Sequence, residues 1–141
     1  MIGSGVEHED RAEAVGRLLA ERGATVVTGG RGEVMAAAAR GAKGAGGTTI
    51  GILPGETREG ANAWNDHVVV TGIGHARNLA VVASGDVVIA VGGRYGTLAE
   101  IALALTLGRT VVVLEPGFEV EGTVRAETPE QAVELALGVV A

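Results

Sequence analysis

The 141-residue sequence contains no cysteine, so disulfide bonds, thiolate metal sites and a cysteine nucleophile are all excluded. Aromatic residues are almost as scarce, because Trp64, Tyr95 and Phe118 are the only three. A core without bulky rings has to be built from Val, Ile, Leu and Ala side chains. Such small side chains fill an interior at native density only when the backbones pack closely together.

Long apolar runs and an excess of basic charge are also lacking. No run of about 18 uncharged apolar residues occurs, so no transmembrane helix is predicted. The chain does not open with a basic segment followed by an apolar stretch, and we expect a cytoplasmic protein without a signal peptide. A net charge of −6 disfavours a nucleic-acid-binding surface. With 47% hydrophobic residues, residues 1–141 are expected to fold as a single domain rather than stay disordered.

Short β-branched segments alternate along the chain with longer segments rich in Ala and Leu. The β-branched segments are nearly apolar throughout, which is typical of parallel strands covered by helices on both faces. The alternation predicts an α/β fold with a doubly wound, mostly parallel sheet of the Rossmann-like kind. A first strand before Gly3 would be either very short or incomplete in the given sequence. The predicted strands are 24–28, 48–53, 67–71, 86–91 and 110–115, and the predicted helices are 9–22, 33–43, 75–84, 97–107 and 128–137.

Glycine is abundant, with 24 residues, and it clusters where predicted strands lead into predicted helices. Such junctions of a parallel sheet all lie at one edge, which is where open α/β sheets bind ligands. Glycine lets the backbone approach a phosphate, and a helix N-terminus supplies free N–H groups. The alternative is that the glycines only form tight turns. The residues predicted to bind a phosphorylated ligand are Gly3, Ser4, Gly5, Gly29, Gly30, Arg31, Gly32, Met35, Asn78, Gly92, Gly93, Gly96 and Thr97.

The motifs narrow the class of ligand. The dinucleotide fingerprint G-x-G-x-x-G is absent, since His8 stands where its third glycine would follow Gly3 and Gly5. No P-loop motif occurs either, so a mononucleotide or a similar phosphorylated ligand is favoured over NAD or ATP hydrolysis. The three histidines lack metal-ligand spacing, and we expect neither a metal site nor a required cofactor.

Two charged residues stand out in apolar helices. Arg77 opens its helix, where a positive charge opposes the helix dipole, and its planar guanidinium suits a phosphate. Glu100 lies in the apolar helix 97–107, which we expect to be buried at a two-fold subunit contact. Glu100 has two interpretations, which the spacing leaves open. It could complete a capping box with Thr97, or it could be a carboxyl with a raised pKa that acts as acid or base.

Five further segments of the sequence are informative when taken together, namely 28–35 (TGGRGEVM), 41–43 (GAK), 51–55 (GILPG), 76–78 (ARN) and 92–100 (GGRYGTLAE). Together they resemble one Rossmann-like superfamily, often labelled "possible lysine decarboxylase". It includes the LONELY GUY cytokinin-activating phosphoribohydrolases and the molybdenum-cofactor carrier proteins, and the likeness is closest to the short bacterial branch near the carriers. The resemblance implies a homodimer or higher homo-oligomer with a nucleotide-like phosphate ligand over the glycine turns.

In the hydrolase branch, an Arg and the Glu of a P-G-G-x-G-T-x-x-E motif cleave the N-glycosidic bond of a nucleoside 5′-monophosphate. Arg77 and Glu100 match these two catalytic positions. Val91 replaces the proline of the motif, however, and the glycine loop is one residue longer, which disfavours hydrolysis more than binding. Lys43 is the only lysine, so the resemblance does not imply a pyridoxal-phosphate decarboxylase here.

Three hypotheses follow. The first is a carrier-like protein that binds a phosphorylated nucleotide or a pterin-type ligand, such as the molybdenum cofactor or an AMP-like nucleotide. The second is a nucleoside-monophosphate phosphoribohydrolase in which Arg77 and Glu100 are catalytic. The third is a structural oligomer with a vestigial site.

Overall fold

The computed structural model describes residues 1–140, in which seven β-strands and five α-helices follow one another along the chain. The strands are β1 (Ile2–Ser4), β2 (Val26–Thr28), β3 (Thr49–Leu53), β4 (His67–Val70), β5 (Val88–Gly92), β6 (Val111–Leu114) and β7 (Val124–Ala126). The helices are α1 (Glu9–Glu21), α2 (Val34–Gly44), α3 (Arg77–Ser84), α4 (Tyr95–Thr106) and α5 (Pro129–Val140). Short 3₁₀ turns at Val6–His8 and Gly74–Ala76 lead into α1 and α3.

The strands pair in parallel throughout and form two adjoining sheets, in the orders β1-β5-β6-β7 and β2-β3-β4. The sheets meet at β1 and β2, where the Met1 nitrogen donates a hydrogen bond to the carbonyl oxygen of Val27 (2.9 Å). The strand order across the molecule is therefore β4-β3-β2-β1-β5-β6-β7. The chain winds outward from β1 in one direction and then from β5 in the other. The predicted doubly wound parallel fold is confirmed, and its switch point lies between β1 and β5.

Helices cover both faces of the sheets. Helices α1, α2 and α5 bury their apolar sides with Ile89 and Val91 of β5, while α3 and α4 pack against Val88 and Ala90 of the same strand. This alternation follows from the two-residue period of a strand, which sends neighbouring side chains to opposite faces. The near-continuous apolar strands of the sequence are explained because each face is covered by helices.

The scarcity of large side chains is matched by close contact between α1 and α2. A Cβ atom on Gly16 would overlap the carbonyl oxygen of Ala38, and one on Gly41 would overlap that of Glu13. The two helix backbones approach to a distance that only glycine permits at these positions. The expectation that a core poor in aromatics needs close backbones is therefore met at this helix pair.

Several elements differ from the predictions, among them β1, β7 and α4. Strand β1 includes Gly3 and Ser4, which were predicted to form a turn. Strand β7 was not predicted, because Val124 and Arg125 are exposed at the edge of the sheet and give no apolar run. Helix α4 begins at Tyr95, two residues before the predicted start. None of the helices within residues 1–140 is long and apolar enough to cross a membrane.

Candidate functional site

A cavity of about 190 Å³ lies at the carboxyl ends of the strands, beside the switch point between β1 and β5. It lies between the starts of α3 and α4, and the beginning of α2 contributes one wall. The predicted site residues that line it are Gly3, Ser4, Gly29, Met35, Arg77, Asn78, Gly96, Thr97 and Glu100. Met1, Ile2 and His75 also line it and were not predicted, since nothing in their local sequence marks them.

The other predicted binding residues lie outside the lining of this cavity, namely Gly5, Gly30, Arg31, Gly32, Gly92 and Gly93. They belong to the same edge of the sheet, because each lies in or beside a turn that follows β1, β2 or β5. A glycine-rich turn is visible in the sequence, but the side of the turn that faces the cavity depends on how the next helix is packed.

Arg77 is the first residue of α3, and its guanidinium lies over the turn that follows β2. A Cβ atom on Gly29 would overlap Arg77 Nη1 and would lie 2.7 Å from Met35 Sδ, so glycine is what leaves room for the guanidinium. Burial lowers the pKa of Arg77, the charge of Glu100 opposes this shift, and the charge of Arg31 adds to it. A guanidinium remains protonated at neutral pH in any case.

Arg77 forms no ion pair within the part of the chain that the structure describes, in contrast to several other arginines. Arg40, for example, donates to Glu13 at 2.9 Å, and Arg17 donates to Glu21 at 2.9 Å. A half-buried cation without a bonded carboxylate is poorly compensated. The cavity at Arg77 is thus a favourable place for an anion.

Glu100 lies one turn into α4 and is largely shielded from solvent. Burial raises its pKa to about 7, although the positive charges of Arg77 and of the Met1 amino group act in the opposite direction. A carboxyl group with a pKa near 7 can give or take a proton at neutral pH. The electrostatics of the cavity therefore permit acid–base chemistry at Glu100.

The capping-box interpretation of Glu100 is wrong. Because α4 begins at Tyr95, Arg94 occupies the N-cap position and its side chain makes no capping hydrogen bond. Thr97 is already inside the helix and is buried. The motif Thr97-Leu98-Ala99-Glu100 has the spacing of a capping box, but glycine at 92 and 93 lets the chain turn into the helix earlier than the motif indicates.

The helices whose first turns line the cavity begin without a side-chain cap. Both α2 and α4 lack a capping hydrogen bond, so N–H groups of their first turns remain available. Helix α5 begins away from the switch point and is capped, because Thr128 Oγ1 accepts the N–H of Gln131 at 3.1 Å. The uncapped N-termini favour an anion at the cavity.

Two turns at this edge are closed by contacts within the chain. In the turn after β2, the Gly30 carbonyl oxygen accepts hydrogen bonds from the Asn62 N–H (2.9 Å) and Asn65 Nδ2 (3.0 Å). In the turn after β1, the Gly5 N–H donates to Glu33 Oε2 at 2.9 Å. Neither contact is visible in the sequence, because each joins residues more than 25 positions apart. These turns lie beside the cavity, and the Gly5 N–H is already bonded within the chain and is not free for a ligand.

Lys43 lies away from the cavity. Its Nζ bonds Asp66 Oδ1 at 2.8 Å and the Gly47 carbonyl oxygen at 3.0 Å, near the start of β3. Lys43 and the hydrogen bonds from Thr49 hold the pKa of Asp66 below its usual range. Among residues 1–140, no group of three His, Asp or Glu side chains is arranged to hold a metal ion.

The parallel order, the switch point and the cavity define an open α/β ligand-binding fold of the Rossmann-like class. Residues 1–138 match the SLOG cluster4 family, and the chain belongs to this family. A protein from Archaeoglobus fulgidus described as uncharacterized is 45% identical over 136 residues, which are 94% of this chain and 89% of that protein.

Two solved structures are similar over nearly the whole chain. The molybdenum cofactor binding protein from the phototrophic bacterium Rippkaea orientalis is 36% identical, with a TM-score of 0.93 over 99% of this chain and 94% of that one. The molybdenum cofactor carrier protein of Chlamydomonas reinhardtii is 32% identical, with a TM-score of 0.88 over 99% of this chain and 95% of that one. The predicted placement near the carrier proteins is confirmed.

Proposed function

We propose that this protein binds a phosphorylated pterin-type or nucleotide ligand at the cavity, in the manner of a molybdenum cofactor carrier. The observation that carries the proposal is the half-buried Arg77 without an ion pair, beside the uncapped first turn of α4. In the proposed complex the guanidinium and the N–H groups of Gly96 and Thr97 hold the phosphate. The similar carrier structures support the same class of ligand.

The cavity holds only a part of such a ligand. Its volume of about 190 Å³ is below the roughly 300–1,000 Å³ that pockets for whole small molecules usually have. A phosphate with its adjoining carbons fits this space, and the ring system then lies over the edge of the sheet. The proposal therefore separates an enclosed phosphate end from an exposed ring end.

A second candidate is hydrolysis of the N-glycosidic bond of a nucleoside 5′-monophosphate. It is favoured by Glu100, whose pKa of about 7 suits proton transfer or stabilisation of an oxocarbenium-like state next to a bound phosphate. Val91 in place of the motif's proline keeps this candidate second.

One pair of measurements tests both candidates. Mass spectrometry of the ligand released from freshly purified, denatured protein is expected to detect a phosphorylated pterin or nucleotide. Incubation with AMP is then followed for adenine and ribose 5-phosphate. Release of both products that is abolished by Glu100→Gln would establish the hydrolase. No released ligand, together with no thermal stabilisation by any phosphate ester, would contradict ligand binding and favour a vestigial site.

We also propose that α3 and α4 form a two-fold contact between subunits. Leu79 of α3 is 45% exposed and Leu107, which follows α4, is 41% exposed. Ala99 and Ala102 extend this apolar surface along α4. Exposed apolar patches of this kind are typical of association sites. Sedimentation of a concentration-independent monomer would contradict the contact.

A further inference from the structure

Glu33 has an unusual backbone conformation for a residue with a side chain. It precedes α2 with φ 53° and ψ −126°, a combination that glycine adopts freely and other residues rarely do. Within residues 1–140, Glu115 is the only other non-glycine residue with a positive φ. A side chain at such a position strains the backbone, and strain of this kind concentrates at functional sites.

The carboxylate of Glu33 lies at the edge where the ligand is proposed to bind. Its Oε2 accepts the Gly5 N–H at 2.9 Å, and Gly5 directly follows Ser4, which lines the cavity. Gly5 was predicted to bind the phosphate of the ligand, but its N–H is already bonded to a carboxylate. A phosphate at this turn would meet a negative charge, so the turn after β1 favours a different part of the ligand.

Glu33 has unused hydrogen-bonding capacity. An ionised carboxylate accepts about four hydrogen bonds, and the Gly5 N–H uses one position. Glu33 is exposed, and within the described part of the chain it forms no ion pair with an arginine or lysine. Because every open position on the carboxylate is an acceptor, the ligand group that meets it has to be a donor.

The donor group that fits best is a pair of neighbouring N–H groups. The 2-amino-4-oxo pyrimidine edge of guanine and of pterins presents two such donors side by side, in the arrangement that two carboxylate oxygens accept. Adenine presents a ring acceptor next to its amino group and lacks this pair. A carboxylate that meets this edge of the ring therefore discriminates guanine and pterins from adenine.

We propose that Glu33 is a specificity-determining residue that binds the aminopyrimidinone edge of a guanine or pterin ring. The inference rests on the proposed function, because it places the ring of the ligand whose phosphate is held by α4 and Arg77. It assigns the exposed ring end of the ligand to Glu33, which lies in the turn after β2 and is bonded to Gly5, and the phosphate to the turn after β5.

Titration calorimetry of the full chain tests the proposal with GMP, AMP, neopterin monophosphate and inorganic phosphate. The wild-type protein is expected to bind GMP and neopterin monophosphate at least about tenfold more tightly than AMP, since hydrogen bonds to a charged group are the strong ones. Glu33→Gln and Glu33→Gly are expected to bring the GMP-to-AMP ratio close to one and to leave inorganic phosphate bound as before.

Glu115→Gly is the matched control for relief of backbone strain. Glu115 has φ 48°, and its carboxylate bonds His8 Nδ1 at 3.0 Å and Arg11 at 2.9 Å, not the Gly5 N–H that Glu33 accepts. The wild-type preference for GMP is therefore expected to persist in Glu115→Gly. A preference lost equally in both glycine variants would overturn the assignment to Glu33.

Thermal unfolding separates a role in recognition from a role in folding. Glycine adopts the conformation at position 33 without strain, which offsets the lost hydrogen bond to Gly5, so Glu33→Gly is expected to keep the wild-type melting temperature within a few degrees while it loses the preference for GMP. A lower melting temperature with equal losses for GMP and AMP would make Glu33 a structural residue. A preference for GMP that is absent from the wild type, or that survives in Glu33→Gly, would also overturn the proposal. If no probe binds the wild type, inorganic phosphate included, the proposed function itself fails.

Discussion

The turn after β2 and the turn after β5 are both rich in glycine, yet the space beside their glycines is occupied differently. The β2 turn, residues 29–33, is closed, because Arg77 lies over Gly29 and the backbone of Gly30 is bonded to Asn62 and Asn65. The β5 turn, residues 92–97, is open at Gly96, where a Cβ atom would meet nothing within 4 Å. Similar sequence motifs therefore enclose a side chain of the protein at Gly29 and leave space for a phosphate at Gly96.

The physical difference lies in what the missing Cβ atoms make room for. At Gly29 the space is filled by the protein's own guanidinium, and at Gly96 it is left for something outside the chain. Glycine in a strand-to-helix turn thus indicates close approach, but it does not say whether the approaching group is a side chain or a ligand.

The largest effect is expected for Arg77, which lies over Gly29 and lines the same cavity as Gly96. We expect Arg77→Ala to weaken binding of AMP or inorganic phosphate by about 2–4 kcal/mol, because charge-assisted hydrogen bonds to a phosphate are lost. Arg77→Lys keeps the charge without the fork and should lose less. Titration calorimetry measures both, with the exposed Arg17→Ala as the control. Unchanged affinity in Arg77→Ala would show that phosphate does not bind between the turns.

Glu100 of α4 makes the free energy of unfolding depend on pH. Its pKa rises from 4.5 to about 7 on folding, so the folded protein favours the protonated form. The contribution of this carboxyl to stability is complete below pH 4.5 and is lost as the pH rises to about 7. We expect the stability of Glu100→Gln relative to wild type to increase by about 3 kcal/mol across this window. Urea unfolding at several pH values measures this difference, and a constant difference would contradict it.

Gly29→Ala tests whether the closed turn is filled. The new methyl group would overlap Arg77 Nη1 and crowd Met35 Sδ, so we expect a loss of about 1–3 kcal/mol in the free energy of unfolding. Gly32→Ala in the same turn is the control, since its Cβ would meet nothing within 4 Å. Denaturant unfolding compares the two variants. Equal stability of both would mean that Arg77 moves away from Gly29 at little cost.

Gly96→Ala is expected to have the smallest effect on stability, and of the opposite sign. A Cβ there meets nothing within 4 Å, and alanine stabilises a helix by about 0.5–1 kcal/mol relative to glycine. The methyl group should nevertheless obstruct the approach of a phosphate to the first turn of α4. Gly138→Ala in α5 has equally free space and should stabilise the fold without changing affinity. If Gly96→Ala binds inorganic phosphate as tightly as the wild type, the first turn of α4 does not contact the phosphate.

Much of the candidate site could be predicted because its residues carry local signals. Arg77 stood out as a cation at the start of an apolar helix, and the structure places it in the cavity together with Glu100. The role of Glu33 could not be predicted, because its bond to Gly5 spans 28 positions of the chain. The prediction of a capping box at Thr97 was wrong for a related reason. Gly92 and Gly93 let α4 begin earlier than the local spacing indicates.

The sequence by itself determined the alternation of strands and helices, the parallel sheet and the edge at which the glycine turns meet. These features depend on periodicity and on short-range backbone preferences, which neighbouring residues carry. The tertiary structure decided which turn is closed and which is open, where Arg77 lies, and how far burial raises the pKa of Glu100. Those properties depend on atoms brought together from distant parts of the chain, and the desolvation that shifts a pKa exists only after the chain has packed.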